Sequence, residues 1–156
     1  MRPLSARAFN QRRDDLYARL NRLGRVILDD RGGAEEIRNL EIKVFIPGQE
    51  GFLSFPDEVF LHYQEWWQQS SLGWILVRYD YDFFHLIDNS RRGYHLHQLG
   101  GIEIIPHLHC VPPGAIDDDD THYEYYEVDL FEAHEEFERY YTEGTRLNCR
   151  GLRKIF

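Results

Sequence analysis

The chain has 156 residues, a length that suits a single domain with its own hydrophobic core. Aromatic residues make up 15% of it, with ten Tyr and ten Phe, which favours a half-buried antiparallel sheet over a helical bundle. The net charge of −9 at pH 7 excludes non-specific nucleic-acid binding by the surface as a whole, because such binding requires neutralised phosphates.

The N-terminus is charged and lacks the apolar segment of a secretion signal, and no apolar run approaches the roughly 20 residues of a membrane span. We therefore expect no membrane partner and a cytoplasmic location. The two cysteines, Cys110 and Cys149, are expected to be reduced thiols, because a chain without a signal stays in a reducing compartment.

The polarity pattern predicts one α+β domain over residues 1–156, a curved antiparallel sheet packed with an N-terminal and a C-terminal helix. The first helix covers about residues 5–23, and Gly24 is expected to end it. The sheet covers about residues 25–128. The last helix covers about residues 129–143, with Asp129 as its N-cap and Glu132 completing a capping box.

Within the sheet, alternating and β-branched stretches predict strands at residues 25–28, 40–46, 52–55, 57–69, 74–87 and 121–128, besides two that carry histidines. Residues 57–69 also fit a helix, and we favour the strand because a turn and a clear strand follow. The apolar face of the strand at 74–87 is expected to contain Ile75, Val77, Tyr79, Tyr81 and Phe83. Turn residues predict breaks at 29–33, 47–48, 89–93 and 111–114.

Histidine is concentrated between Asp80 and Cys110, a stretch that holds five of the chain's eight histidines. Two pairs, His95/His97 and His107/His109, lie on either side of the turn sequence Leu99-Gly100-Gly101. Because residues i and i+2 share a face of a strand, each pair points to one side of its strand. The local sequence therefore predicts a histidine-bearing β-hairpin.

The loop length decides whether the two pairs share a face. A two-residue Gly-Gly turn would place them on opposite faces, because a slip of one residue reverses a strand. Burying one pair would cost free energy unless every ring were hydrogen-bonded. We therefore expect an odd-numbered loop that brings all four histidines to one face, opposite the apolar Tyr94 and Leu96.

Such a cluster, with arginine and tyrosine but no cofactor, can cleave RNA. One histidine takes the proton of the 2′-OH, another protonates the leaving oxygen, and arginine stabilises the charge of the phosphorane. The candidate catalytic residues are His95, His97, His107, His109, Arg91, Tyr94 and Asp88. The alternative is a polar outer sheet face that uses histidine without catalysis.

Metal binding is the other chemistry open to these side chains, because His95, His97, His107 and His109 offer four nitrogens to a divalent metal ion. Their spacing matches no zinc motif, and Cys110 is expected to point away from His109. The acidic run at 117–120 lacks the glycine of a calcium loop and is expected to be solvated. On the last helix, His134 is expected to be exposed.

Arginines concentrate at the two ends of the chain, and those of the first helix include Arg12, Arg13, Arg19 and Arg22. Because arginine favours bidentate contacts with phosphate or carboxylate, we expect this helix to contact RNA or an acidic protein. A solvated helix face is the alternative.

The stretch from about residue 57 to 143 resembles the TumE-like toxin family of prokaryotic toxin–antitoxin systems. The matching pieces are Tyr79-Asp80-Tyr81, Asp88-Asn89 before a glycine, His95-x-His97, the aromatic run at 123–126 and the closing amphipathic helix. The resemblance implies a small cytosolic toxin that acts on RNA and is held by a helix-turn-helix antitoxin. The N-terminal helix and the pair His107/His109 depart from the family pattern.

The sequence thus supports two classes of function besides metal binding, a toxin-like ribonuclease and a non-catalytic interaction subunit of a defence or regulatory complex. They differ in one expectation. Substitution of His95 or His97 by Ala should abolish the effect of a ribonuclease and be tolerated by an interaction subunit.

Overall fold

A computed structural model describes residues 2–32, 36–50, 53–99, 104–117, 121–144 and 147–155. In this part of the chain, seven strands form one curved antiparallel sheet whose spatial order follows the sequence, and two helices pack on it. The elements are α1 (Ala6–Leu20), β1 (Arg25–Gly32), β2 (Ile37–Glu50), β3 (Leu53–Ser70), β4 (Gly73–His85), β5 (Ser90–Gln98), β6 (Ile104–Val111), β7 (His122–Glu124) and α2 (Leu130–Thr142). The predicted α+β architecture is confirmed.

Both helices begin at side-chain caps. Ser5 accepts a hydrogen bond from the Ala8 amide at 3.1 Å, and Asp129 accepts one from the Phe131 amide at 2.8 Å. Helix α1 ends at Leu20, earlier than predicted. Gly24 has another role, because a Cβ there would lie 2.2 Å from the carbonyl oxygen of Phe45 on β2.

Several predicted breaks in the sheet are wrong, because tertiary pairing carries the strands through them. Strand β1 continues through residues 29–32, and Asp30 there accepts hydrogen bonds from Arg13 and Arg38. Strand β2 passes Pro47 with two register shifts, which accommodate a residue without an amide donor. Residues 57–69 belong to β3, as predicted.

The later strands also differ from their predicted bounds. Strand β4 has a register shift opposite Trp66 and Trp67, which brings Leu76 rather than Val77 against the core. Strand β5 already begins at Ser90, so the predicted loop at 89–93 is mostly strand. Strand β7 has three residues, because the chain leaves the sheet toward α2, where the Val128 amide donates to the Tyr79 hydroxyl at 3.0 Å.

The core lies between one face of the sheet and the two helices. Phe137 of α2 stacks against Tyr63 and Tyr94, and Leu16 and Leu20 of α1 are fully buried. The opposite face of the sheet carries a row of stacked aromatic rings across β2, β3 and β4, formed by Phe45, Phe60 and Phe84. No described helix is long and apolar enough to cross a membrane.

A buried carboxylate joins α1 to the sheet. Glu65, 1% exposed, accepts two hydrogen bonds from Arg12 at 2.6 and 2.7 Å, one from Trp67 Nε1 at 2.9 Å and one from the Tyr81 hydroxyl at 2.7 Å. The expectation that Arg12 contacts a partner is therefore wrong, because its guanidinium binds Glu65 inside the protein. Arg13 and Arg19 also bind internal carboxylates, those of Asp30 and Glu138.

The expectation of reduced thiols is also wrong. Cys110 and Cys149 form a disulfide whose Cα atoms lie 5.8 Å apart. Cys110 lies on the core face of β6, and the C-terminal segment brings Cys149 back to it. Disulfides persist in oxidising compartments and are rare in the cytosol.

His134 is buried rather than exposed. Its side chain has no exposed surface, and its Nδ1 lies 2.8 Å from the hydroxyl of Tyr63. Burial, together with the positive charge of Arg19, lowers the pKa of His134 to about 4. His134 has glutamates as sequence neighbours, which suggested an exposed position. The sequence did not show that this side of α2 faces the core.

We predict that Arg12→Met destabilises the fold by about 3–5 kcal/mol, because it leaves the Glu65 charge buried without its counter-ion. Urea unfolding measures the change. Arg31→Met is the matched control, since Arg31 forms an exposed pair with Asp29 and its loss should not shift the midpoint. Equal effects of the two substitutions would contradict the importance assigned to the buried pair.

The buried His134 should make stability depend on pH. Its pKa is lower in the folded protein than in the unfolded chain, so the unfolded chain takes up a proton first as the pH falls from 6.5 toward 4. The stability difference between pH 7 and pH 4 should therefore shrink by about 3 kcal/mol in His134→Gln. Denaturant unfolding at a series of pH values tests this. If the free energy of unfolding depends on pH in His134→Gln as it does in the unmodified protein, the prediction is contradicted.

Candidate functional site

The four histidines of the hairpin share one face, as predicted. Strands β5 and β6 pair His95 with His107 and Gly93 with His109, and an odd number of residues separates the last pair, Gln98 and Ile104. The rings of His95 and His109 lie 4.3 Å apart between centroids, and those of His97 and His107 lie 4.7 Å apart. The turn itself, at 100–103, lies outside the described residues.

A fifth histidine, His122 of β7, joins this histidine cluster. It is paired with His109 across the ladder, and the two ring centroids are 3.9 Å apart. The sequence placed His122 in a strand but gave no sign of which strand it pairs with. The five residues His95, His97, His107, His109 and His122 are called the histidine cluster below.

Two aspartates of β4 orient the first pair of rings. His97 Nδ1 lies 2.6 Å from Asp80 Oδ1, and His95 Nε2 lies 3.0 Å from Asp82 Oδ1. Burial alone would raise the pKa of Asp82, but neighbouring His95 and Arg91 hold it below its usual value, and His97 has the same effect on Asp80. Both side chains are therefore carboxylates that fix one nitrogen of each ring.

The sequence did not identify Asp80 and Asp82 as the partners of these rings. Their alternation with Tyr79 and Tyr81 on β4 was visible, but not the pairing of β4 with β5 that sets Asp80 beside His95. Gly93 makes the contact possible. A Cβ at residue 93 would lie 2.2 Å from Asp82 Oδ1 and 2.9 Å from His95 Nε2.

The second pair of rings is neutral. Burial lowers the pKa of His107 to about 4, against the opposing effect of the Ile105 carbonyl, which lies 3.1 Å from His107 Nδ1. Burial also lowers the pKa of His109, and neighbouring His95 and Arg91 act in the same direction. Neutral imidazoles keep one lone pair for a proton or a metal ion.

Ring nitrogens of the histidine cluster lie close together. Among the described residues, His95 Nδ1, His107 Nε2 and His109 Nδ1 are buried without a hydrogen-bond partner. Candidate ligand atoms of His95, His97 and His107 lie within 4.8 Å of one another, and so do those of His107, His109 and His122. Unsatisfied buried nitrogens are costly, and a bound ion or proton would relieve that cost.

The cluster opens into a cavity of about 400 Å³ on the sheet face opposite the helices. Besides His95, His97, His109 and His122, its walls contain side chains from β3, β4 and β5. They are His62 and Gln64 of β3, Asp80, Asp82 and Phe84 of β4, and Arg91 of β5. Arg91 is anchored by Asp82 at 2.9 Å and by Asp117 at 2.6 Å. Asp117, the first residue of the acidic run, is 42% exposed, and residues 118–120 lie outside the described residues.

Two of the predicted site residues lie elsewhere. Tyr94 is on the core face, where its hydroxyl donates to Glu136 of α2, because its position alternates with that of His95. Asp88 lies in the turn before β5, where it pairs with His85 at 3.1 Å and accepts from the Ser90 amide at 2.9 Å. Both expectations are corrected, since neither side chain lines the cavity.

No protein-family model, curated protein or solved structure matches the chain. The resemblance to the TumE-like toxins therefore stays a prediction, and the site must be interpreted from its geometry.

We predict a fixed tautomer for three rings of the cluster. His97 and His107 should carry the proton on Nδ1, toward Asp80 and the Ile105 carbonyl, and His95 should carry it on Nε2, toward Asp82. Long-range ¹⁵N–¹H correlation spectra distinguish the two forms. Asp82→Asn should alter the tautomer of His95 only, because the rings of His97 and His107 have their own acceptors.

The exposed Asp29→Asn serves as the control for Asp82→Asn and should leave all three spectra unchanged. A mixture of tautomers at His97 and His107 in the unmodified protein would contradict the arrangement.

Proposed function

We propose that this protein binds one late first-row divalent metal ion, such as Zn²⁺, Ni²⁺ or Cu²⁺, through the histidine cluster. One observation carries the proposal. His95, His97 and His107 each direct one ring nitrogen to a fixed acceptor, and candidate ligand nitrogens of the same three rings approach within 4.8 Å. Carboxylate or carbonyl acceptors behind ligating histidines are the usual second shell of such sites.

The electrostatics of the site favour a cation. Asp80 and Asp82 remain ionised, and neither His107 nor His109 adds a positive charge at neutral pH. Imidazole suits Zn²⁺, Cu²⁺ and Ni²⁺, whereas Ca²⁺ and Mg²⁺ prefer oxygen ligands. The donor set therefore selects the class of ion.

The two histidine triads predict a single ion rather than two. They share His107, and its Nδ1 faces the carbonyl of Ile105, so only Nε2 can bind metal. An ion bound by the His95/His97/His107 triad thus excludes one at the other triad, while His109 or His122 remains close enough to supply a fourth nitrogen.

We expect the metal-free protein to take up one equivalent of Zn²⁺ in competition with a chromophoric chelator. Asp80→Asn, which removes an outer-shell partner, should weaken Zn²⁺ binding roughly 10- to 100-fold. His97→Ala and His107→Ala, which each remove a ligand, should weaken it by more than that. His85→Ala is the control, because His85 pairs with Glu58 and Asp88 outside the cavity. Absent saturable binding, or an equal loss in His85→Ala, would contradict the proposal.

A metal-independent ribonuclease is the second candidate, and one observation favours it. The cluster contains carboxylate-paired rings, which can hold a proton, beside His107, which is neutral near pH 7 and can accept one. The same variants separate the candidates. RNA cleavage that survives excess chelator and is lost in His107→Ala would favour the ribonuclease.

The ribonuclease candidate goes with the resemblance to the TumE-like toxins, which implies a helix-turn-helix antitoxin as partner and a cytoplasmic location. The disulfide favours an oxidising compartment instead, because cytosolic thiols are kept reduced. This is a further reason to place metal binding first.

A further inference from the structure

We propose that the Cys110–Cys149 disulfide regulates the metal site by holding His122 in the histidine cluster. The inference rests on the proposed metal-binding function and adds its control by redox state. Reduction would release the C-terminal segment, loosen β7 and remove one ligand candidate from the site.

Strand β7 depends on the C-terminal segment for half of its pairing. On one side, its three residues pair with β6. On the other side, the Glu124 amide donates to the Arg153 carbonyl at 2.8 Å, and the Ile155 amide donates to the His122 carbonyl at 3.2 Å. Tyr123 and Lys154 form an isolated bridge between these bonds.

The disulfide is the covalent anchor of that segment. It joins Cys149 to Cys110, the residue after His109 on β6. Successive side chains of a strand alternate between faces, so Cys110 holds the segment from the core face while His109 faces the cavity. One strand thus anchors both the histidine pair and the segment that secures His122.

Without the disulfide, the contacts that still hold the segment include the backbone hydrogen bonds to β7, the buried Leu147, Leu152 packed against the core and the exposed Arg153–Glu124 ion pair. Short strands at a sheet edge open readily, since few contacts protect them. The ring of His122, 3.9 Å from His109 and 5.7 Å from His107, would then leave its place beside both.

The redox step is ordinary thiol–disulfide exchange with a dithiol reductant. A thiolate attacks Sγ of the half-buried Cys149, the Cys110 thiolate leaves, and the second thiol of the reductant displaces Cys149. The reductant becomes its own disulfide, and the protein gains two electrons and two protons as two thiols. Cys110 cannot replace His122 as a ligand, because it faces the core.

The test compares Zn²⁺ affinity in four proteins that need no reductant: the unmodified oxidised protein, Cys149→Ser, His122→Ala and the double variant. Each single change should weaken binding about tenfold or more. The double variant should be no weaker than His122→Ala, because the disulfide acts through His122. Arg150→Ala, an exposed change in the same segment, should bind as the unmodified protein does.

A second variant guards against misfolding of Cys149→Ser. Ile155→Pro keeps the disulfide but removes the amide that donates to His122, so it should weaken binding in the same direction. Hydrogen exchange at the amides of Glu124 and Ile155 should accelerate when the disulfide is absent, whether or not metal is present.

Unchanged Zn²⁺ affinity in Cys149→Ser and Ile155→Pro, with normal binding by the unmodified protein, would overturn this inference and leave the proposed function intact. Additive losses in the double variant would also overturn it. Failure of the unmodified, oxidised protein to bind Zn²⁺ would instead reject the proposed function itself.

Discussion

The fold depends on the compensation of one buried charge. Glu65 projects from β3 into the core, where a carboxylate without partners would cost several kcal/mol. Arg12 of α1, Trp67 of β3 and Tyr81 of β4 supply its four hydrogen bonds. Because Arg12 must reach Glu65, α1 is fixed on this face of the sheet, and the core is completed there. The histidines can then occupy the other face.

Strand β4 connects the two faces. Tyr79 and Tyr81 point into the core, and the alternating Asp80 and Asp82 point toward the histidines. A displacement of β4 by one residue would put carboxylates in the core and tyrosines in the site. The hydrogen bond from Tyr81 to Glu65 therefore also secures the register that places Asp82 within hydrogen-bonding distance of His95.

Local periodicity could predict some of this arrangement but not all of it. The shared face of His95 and His107 follows from alternation and loop parity, both visible in the sequence. His122, the disulfide and the Arg12–Glu65 pair depend on contacts between distant segments, which no local pattern specifies. The same limit explains why Tyr94 and Asp88, which are close to the histidines in sequence, lie outside the cavity. It also explains why several strands are longer than predicted.

The disulfide and the histidine cluster constrain each other through β6. His109 and Cys110 are neighbours in sequence but serve opposite faces, so the strand transmits the position of the C-terminal segment to the site. By thermodynamic reciprocity, if the disulfide strengthens metal binding, a bound metal ion must stabilise the disulfide against reduction by the same factor. The site would then bind most tightly where disulfides persist, which ties the chemistry of this sheet face to an oxidising environment.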